Sequence, residues 1–303
     1  MTFSQGVAQI GPIGVGVIAW LAVLLGTAVV IARHPPTLRN ARDLATIPVI
    51  GPPLERGWDR LRPLTAPLRA RLGVNGLALV VLLLGLGAVV AMALGFTALL
   101  DNVLDGEGLV RFDDGAARWL AAHRELWLTQ ILLVITRIGN TGAQMACMAL
   151  VCVLAVIRGR SRLPIVVGLI GGLGIALVIV VAKHLVGRPR PPQPYALLSP
   201  NGLSFPSGHA TGAAAVGLLC AWMLCRWVVR RWPNQVAVWA VTSALVSMIG
   251  FSRPYLGVHF VTDVLAGWLL GAAWAGSVIL LASWWLDSSR TGRSLRDAVT
   301  PEC

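Results

Sequence analysis

The sequence predicts an all-α integral membrane protein, and three observations support this fold class. Hydrophobic residues make up 56% of the chain and charged residues only 13%, whereas a typical soluble domain has about 25% charged residues. The apolar residues are gathered into seven runs that are long enough to cross a bilayer. The basic residues fall in short blocks between these runs. We therefore attribute the net charge of +12 to membrane topology and expect no nucleic-acid partner.

Seven membrane spans are predicted, and the third is interrupted by the sequence Gly-Asn-Thr-Gly at 139–142. The spans cover residues 11–32, 74–100, 127–157, 163–185, 207–229, 235–251 and 259–286. Because the third run is too long for one straight crossing, we expect a lead-in helix before the interruption and the true span after it.

The charge of the connecting segments predicts how the chain is oriented. Residues 33–73 carry eight Arg against three acidic residues, a net of +5, and the segments at the ends of the third and fifth spans each carry three Arg. Residues 101–126 carry six acidic residues against three Arg, a net of −3. Since basic loops stay in the cytoplasm, we expect a multi-pass protein of the cell (inner) membrane with its N-terminus outside and its tail, residues 287–303, in the cytoplasm.

Three segments share the outward side in this topology, and the first is rich in fixed positive charge. Of the 25 Lys and Arg residues, 24 are Arg, and the one lysine is Lys183. It is followed by the sequence Arg-Pro-Arg-Pro-Pro at 188–192, whose prolines stiffen the backbone that carries Arg188 and Arg190. A guanidinium held in place is suited to bidentate recognition of phosphate.

The second segment reads Pro-Ser-Gly-His at 206–209, directly before the fifth span. Ser207 is a natural N-cap, and Gly208 lets a ligand approach the backbone, so the start of this helix would form an anion site. His209 lies in the first turn. The alternative is a capped membrane helix with an incidental histidine.

The third segment contains Arg253, His259 and Asp263. Asp263 is the only acidic residue between Glu125 and Asp287, and a carboxylate deep in lipid costs roughly 2.5 to 3.5 kcal/mol, which suggests a function. His259 and Asp263 are four residues apart, so on a helix they would share one face and the carboxylate could hold one imidazole nitrogen. The alternative is a structural His–Asp pair beside a snorkelling arginine.

Taken together, the three segments favour a site for a tetrahedral anion. They combine cations, a helix start, two histidines and one carboxylate on one side of the membrane. A metal site is not expected, because the cations would oppose a metal ion and only one carboxylate is available. We expect no other cofactor.

In these motifs the sequence resembles the type-2 phosphatidic acid phosphatase superfamily, the membrane lipid phosphate phosphatases. The family signature is Lys, six residues, Arg-Pro; then Pro-Ser-Gly-His; then Ser-Arg, five residues, His, three residues, Asp. The chain matches it in order and spacing at 183–191, 206–209 and 252–263. The resemblance covers about residues 74–286 and implies a six-helix transmembrane phosphatase domain there, with residues 1–73 adding an N-terminal transmembrane helix and a basic linker.

The resemblance also implies roles for individual residues. His259 would be the nucleophile, Asp263 its orienting group, and His209 the general acid. The residues that would hold the phosphate oxygens are Lys183, Arg190, Ser207, Gly208 and Arg253. Arg188 stands at the wrong spacing for the signature and is an auxiliary candidate.

The predicted function is hydrolysis of a membrane lipid phosphate or diphosphate at the outer membrane face, through a phosphohistidine and without a metal ion. The resemblance implies substrates of the undecaprenyl diphosphate, phosphatidylglycerol phosphate or phosphatidic acid class, and the motifs do not choose among them. One alternative is phosphotransfer to a lipid or sugar acceptor. The other is a non-catalytic transporter of anionic lipids, which would explain the basic loops but not the His–Asp pair and the second histidine.

Overall fold

A computed structural model describes residues 10–34, 76–192, 195–198 and 200–299 of the chain. These residues form α-helices with short 3₁₀ and π-helical segments, and they contain no β-strand. The predicted all-α fold class is confirmed. The predicted basic linker falls almost wholly at residues 35–73, which lie outside the described part of the chain.

Ten α-helices lie in the described ranges. In chain order they are α1 Pro12–Arg33, α2 Gly76–Asp105, α3 Asp113–Ala122, α4 Leu126–Ile138, α5 Thr141–Gly159, α6 Leu163–Gly168, α7 Gly174–Val186, α8 Gly208–Met223, α9 Trp232–Tyr255 and α10 Val261–Val299. A 3₁₀ helix, Gly108–Phe112, precedes α3, and π-helical segments join α6 to α7 (Leu169–Leu173) and extend α8 (Leu224–Val228).

Seven helical stretches of the described chain are long and apolar enough to cross a membrane, as predicted. They are Pro12–Arg33, Val81–Asp105, Thr141–Gly159, Leu163–Val186, Gly208–Val228, Trp232–Tyr255 and Val261–Leu286. The predicted interruption of the third run is also present. Helix α4 ends before Gly139, and the side chain of Asn140 caps α5 by accepting a hydrogen bond of 2.8 Å from the Ala143 N–H, which satisfies one of the donors left free at a helix start.

Several predicted span boundaries differ from the structure, and two of them lie beside the candidate site. The sixth span does not stop at residue 251, because α9 continues through Arg253 to Tyr255. A charged residue predicts that a span has ended. The side chain of Arg253 is nevertheless buried, because it donates to the hydroxyl of Thr136 inside the protein. The seventh span does not begin at His259, since α10 starts at Val261.

Helix α8 is the most buried helix and carries the Pro-Ser-Gly-His motif at its start. Eleven of its sixteen residues are buried, most of them Ala or Gly. Small residues let the backbones of membrane helices approach closely. At the contact with α10, a Cβ on Gly271 would lie only 2.3 Å from the Thr211 carbonyl oxygen. Close packing of α10 on α8 thus fixes the second and third predicted segments relative to each other.

The three predicted segments meet at one end of the helix bundle, which we call the motif end. There the backbone N–H of Ser207 donates to the Asp263 carbonyl at 3.0 Å, which joins the starts of α8 and α10. Helix α1 also begins at this end, because the Gly14 N–H contacts Glu125. At the opposite end of α1 the indole of Trp232 donates to the Ile31 carbonyl at 2.9 Å. Helix α1 therefore runs the full length of α9, antiparallel to it.

Candidate active site

The His259–Asp263 pair is formed, but not by a shared helix face. His259 lies in the short connection between α9 and α10, and its Nδ1 is 3.3 Å from Asp263 Oδ2. The carboxylate folds back over the start of α10, where Oδ2 also accepts the Phe260 N–H at 2.9 Å. Both side chains are buried. The predicted contact is therefore present, whereas the predicted helical geometry is wrong because the helix starts two residues after His259.

Asp263 holds two further donors that stabilise it as a carboxylate. Arg188 Nη1 donates to Oδ1 at 2.6 Å, and the hydroxyl of Ser204 donates to Oδ2. The same hydroxyl lies 3.4 Å from His259 Nδ1. Sequence analysis missed Ser204, since it stands two residues before the Pro-Ser-Gly-His motif and belongs to no signature.

Behind this pair lies a second buried carboxylate, Asp113, which sequence analysis also missed. It is the first residue of α3 and only 3% exposed. Its Oδ2 accepts Arg188 Nη2 at 2.8 Å, and its Oδ1 accepts the Thr262 N–H at 3.2 Å. The guanidinium of Arg188 thus bridges two carboxylates and lies 4.3 Å from the centre of the Phe260 ring. Arg188, the auxiliary candidate for phosphate binding, therefore lies behind Asp263, and each of its two terminal nitrogens donates to a carboxylate.

Arg190, by contrast, reaches the free side of the histidine. Its Nη1 donates to the Val258 carbonyl at 2.7 Å and lies 3.1 Å from His259 Nε2, while its Nε donates to the Gly202 carbonyl at 3.0 Å. The guanidinium is therefore fixed at the nitrogen that faces away from Asp263. Burial lowers the pKa of Arg190, and the charge of Asp263 opposes this effect.

Burial also decides the charge of His259. It lowers the pKa of the imidazole to about 4, although the hydrogen bond and charge of Asp263 raise it and the nearby arginines lower it further. Near neutral pH the ring is therefore uncharged. With a proton on Nδ1 facing Asp263, the lone pair lies on Nε2, which is the form that a nucleophile requires.

The start of α8 carries polar groups with unused hydrogen-bonding capacity. Ser207 occupies the N-cap position, but its side chain makes no capping bond, contrary to the prediction. Its hydroxyl oxygen is buried and has no partner within the described part of the chain. Nearby, Lys183 Nζ donates to the carbonyls of Leu203 at 2.6 Å and Ser204 at 3.3 Å. A Cβ on Gly208 would lie 3.9 Å from Lys183 Cε, so the lysine stem passes beside the helix start.

His209 and Arg253 lie on the other side of the helix start, against the lead-in helix α4. A Cβ on Gly139 would be 3.1 Å from His209 Cδ2. Arg253 Nη1 donates to the hydroxyl of Thr136, a buried residue of α4 that sequence analysis missed. The Nε of Arg253 is buried with no partner among the described residues. Buried polar groups are normally hydrogen-bonded, so this N–H and the Ser207 hydroxyl are each available to a ligand oxygen.

The arrangement can bind and transfer a tetrahedral anion. It brings together an uncharged imidazole backed by a carboxylate, a second histidine, three cations and a helix start. All eight predicted catalytic and phosphate-binding residues lie at the motif end. Over the described ranges, no group of three or more His, Cys, Asp and Glu side chains is arranged as a metal site.

Comparisons with known proteins agree with this chemistry. Residues 163–287 match the family model described as PAP2 superfamily. The chain is 28% identical to phosphatidylglycerophosphatase B of Bacillus subtilis over 160 residues, which are 52% of this chain and 77% of the relative. It is 33% identical to decaprenylphosphoryl-5-phosphoribose phosphatase of Mycobacterium tuberculosis over 41% of this chain and 64% of the relative. It is 35% identical to undecaprenyl-diphosphatase of Sulfolobus acidocaldarius over 40% of this chain and 57% of the relative.

One solved structure extends the similarity to the fold. It is a transmembrane PAP2-type phosphatidylglycerolphosphate phosphatase from Bacillus subtilis, with a TM-score of 0.58 and 27% sequence identity. The match covers 63% of this chain and 94% of that chain. The similarity therefore includes nearly all of the solved chain and leaves over a third of this one without a counterpart in it.

Proposed function

We propose that this chain, whose residues 163–287 match the PAP2 superfamily model, releases phosphate from a membrane lipid through a phosphohistidine intermediate. That it is a membrane lipid phosphatase of the PAP2 type rests on the family match and on the named relatives. The intermediate, the role of each residue, the lipid and the membrane side are our proposal. The observation that carries it is the buried His259, with Asp263 on one nitrogen and Arg190 at the other.

In the first step His259 Nε2 attacks the phosphorus atom of the lipid phosphate. The N–P bond forms while the bond from phosphorus to the leaving oxygen breaks. Asp263 keeps the proton on Nδ1 and stabilises the positive charge that the imidazole gains. His209 gives a proton to the leaving oxygen, and its protonated form is favoured when the anionic substrate is bound beside it.

Fixed positive charge would stabilise the transition state of this step. Phosphoryl transfer depends mainly on positioning and on neutralising the phosphate oxygens. Lys183, Arg190 and Arg253 are each held by a backbone or side-chain acceptor at the motif end. The N–H groups at the start of α8 and the Ser207 hydroxyl, which has no partner among the described residues, would add donors that favour an anion. The N–H of Arg190 that now faces His259 Nε2 would turn to a phosphate oxygen.

In the second step a water molecule attacks the phosphohistidine. His209, which has given up its proton, accepts one from the water, the N–P bond breaks, and inorganic phosphate leaves. His259 returns to its neutral form with the proton still on Nδ1. No metal ion takes part, because three cations already occupy the surroundings of the phosphate.

The location of the site suggests the class of substrate and the membrane side. The motif end lies at the ends of the membrane-spanning helices, where a lipid head group can enter while its tail stays in the bilayer. The basic connections at 158–162 and 226–231 lie at the opposite end of the helices. By the positive-inside rule the motif end then faces outward. We propose a lipid phosphate or diphosphate of the kinds that the relatives' names describe.

The test is phosphate release by purified protein from a panel of lipid phosphates and diphosphates in detergent. We expect His259→Ala to abolish release while the protein stays monodisperse. His184→Ala is the matched control, since this exposed histidine of the same end bonds only to the Val180 carbonyl of its own helix within the described chain. Wild-type release by His259→Ala would show that His259 is not the nucleophile.

Two additions to the same assay separate the remaining alternatives. Activity should persist in excess EDTA, and a complete loss that Mg²⁺ restores would contradict the metal-free mechanism. With substrate labelled in its phosphate, hydrolysis yields free phosphate, whereas transfer yields a labelled lipid or sugar acceptor.

A further inference from the structure

The first turn of helix α1 is its most buried part. Against the described part of the chain only Ile13 and Gly14 of this helix are buried. Ile13 packs in one apolar cluster with Tyr255 and Val258, which flank the turn that leads to His259. Helix α1 lies outside the residues that match the family model.

The contact that fixes this first turn is made by Glu125. Its Oε1 accepts the Gly14 N–H at 2.8 Å, and its Oε2 accepts the Trp127 indole N–H at 2.8 Å. The fit is tight, since a Cβ on Gly14 would lie 2.5 Å from Oε2 and 2.6 Å from a ring carbon of Trp127. Any side chain at position 14 must therefore displace Glu125 or Trp127.

The backbone of Glu125 is bonded in turn to the end of α9. Its N–H donates to the Tyr255 hydroxyl at 2.8 Å, and that hydroxyl lies 3.1 Å from the Glu125 carbonyl oxygen. Arg124 holds the same residue from the other side, because its Nε donates to the Tyr255 carbonyl at 2.9 Å. Tyr255 is fully buried and stands two residues after Arg253 and four before His259. Residues 124 and 125 thus hold both ends of Tyr255.

Arg124 also joins two segments of the candidate site. Its Nη2 donates to the Tyr195 carbonyl, in the segment that follows Arg190. That segment lies directly against the turn after α9, since the Leu197 N–H donates to the Leu256 carbonyl at 2.9 Å. Gly257 has a φ of +73°, and a Cβ there would be 1.8 Å from the Tyr195 carbonyl oxygen. Only glycine allows this approach.

We propose that Arg124 and Glu125 are a positioning pair that couples the attachment of α1 to the placement of His259. Glu125 holds the first turn of α1, and both residues hold Tyr255 and the turn that carries the histidine. Neither side chain reaches the reacting atoms. This inference rests on the proposed function for the role of His259, but the contacts that carry it are independent of that role.

The sharpest test perturbs the pair from α1. In Gly14→Ala the new methyl group displaces the Glu125 carboxylate, and we expect kcat to fall about tenfold, because small misplacements of catalytic groups are costly. KM should change less than about twofold, since the phosphate-binding cations are untouched. Gly26→Ala on the same helix is the matched control, because a Cβ there meets nothing within 4 Å, and it should keep the wild-type kcat.

A double-mutant cycle distinguishes coupling from general destabilisation. Glu125→Ala alone should lower kcat by a similar factor. Gly14→Ala should then add less than about 1.5-fold in the Glu125→Ala background, since the carboxylate that it displaces is gone and its loss leaves room for the Trp127 ring to shift. Additive losses would contradict a shared contact and overturn the proposal.

A second readout does not depend on activity. Hydrogen exchange of the amides at 256–258, which donate to carbonyls of residues 252–254, should accelerate in Gly14→Ala and Glu125→Ala but not in Gly26→Ala. Unchanged exchange in both variants would overturn the coupling even in an active enzyme. If the wild type releases no phosphate from any lipid while the exchange responds as expected, the proposed function fails and the coupling stands.

Discussion

Replacing Asp113 by Asn tests whether the carboxylate behind Asp263 helps to place it. Asp113 accepts hydrogen bonds from Arg188 and from both the N–H and the hydroxyl of Thr262. An asparagine has only one side-chain oxygen, so its NH₂ group must face donors. Whichever way the amide turns, Arg188 or the start of α10 loses an acceptor.

The loss of stability and activity in this variant depends on the contacts that Arg188 keeps. Removing one partner of a buried ion pair lowers the free energy of unfolding by about 3 to 5 kcal/mol. We expect a value at the low end of this range because Arg188 keeps its 2.6 Å contact with Asp263. The guanidinium is then pulled toward Asp263 alone, which shifts the carboxylate that orients His259. Small misplacements of catalytic groups can lower the rate by up to about 100-fold, and we expect kcat to fall about tenfold.

The assay compares kcat and thermal stability of Asp113→Asn with those of Asp114→Asn. Asp114 is the adjacent residue and is exposed, so its replacement should change neither quantity. Phosphate release is measured at saturating lipid phosphate, and the unfolding midpoint is followed in the same detergent. Equal kcat values for the two variants would refute the view that Asp113 supports the catalytic pair through Arg188.

Three further predictions concern the site itself. Because burial lowers the pKa of His259 to about 4 in the ligand-free protein, the acid limb of the kcat/KM profile should have its midpoint near pH 4, and it should stay there for two substrates whose phosphate pKa values differ. A midpoint near the 6.5 of a free imidazole would contradict a buried neutral nucleophile. Ser204→Ala removes a donor from Asp263 and should lower kcat about tenfold, because the carboxylate that orients His259 is then less well placed. Ser277→Ala, which loses only a bond to its own helix at Ala273, should leave kcat unchanged. Arg190→Lys should lower kcat about 100-fold because an ammonium cannot replace the fork that spans three acceptors; a wild-type rate would argue against its role at the reacting nitrogen.

The membrane spans and the charged site residues could be predicted from the sequence for the same physical reason. Charged residues in an apolar chain are costly, so Lys183, Arg253 and Asp263 stand out without any structure. The same cost concentrates basic residues in short blocks and makes the seven spans readable from composition alone. The predicted helical geometry of the His259–Asp263 pair was wrong, because the two side chains meet through a folded-back carboxylate rather than along a helix.

The residues that sequence analysis missed are brought in by tertiary packing. Asp113 lies 149 positions before Thr262, to which it bonds, and Thr136 lies 117 positions before Arg253. Neither belongs to a motif, and both precede the segments that carry the signature. No periodicity or spacing within one element can indicate a contact that depends on how α3 and α4 pack against α9 and α10. Ser204 is closer in sequence, but only its contact with Asp263 distinguishes it from other serines.

The most direct test of the central claim is to trap the covalent intermediate. Purified protein is mixed with a lipid phosphate labelled in its phosphoryl group, quenched with alkali during the first turnovers, and digested for mass spectrometry. We predict an alkali-stable, acid-labile label on His259, which His259→Ala lacks and which disappears as free phosphate forms. Label on His209 instead, or phosphate release with no labelled protein at any time, would contradict the proposed mechanism.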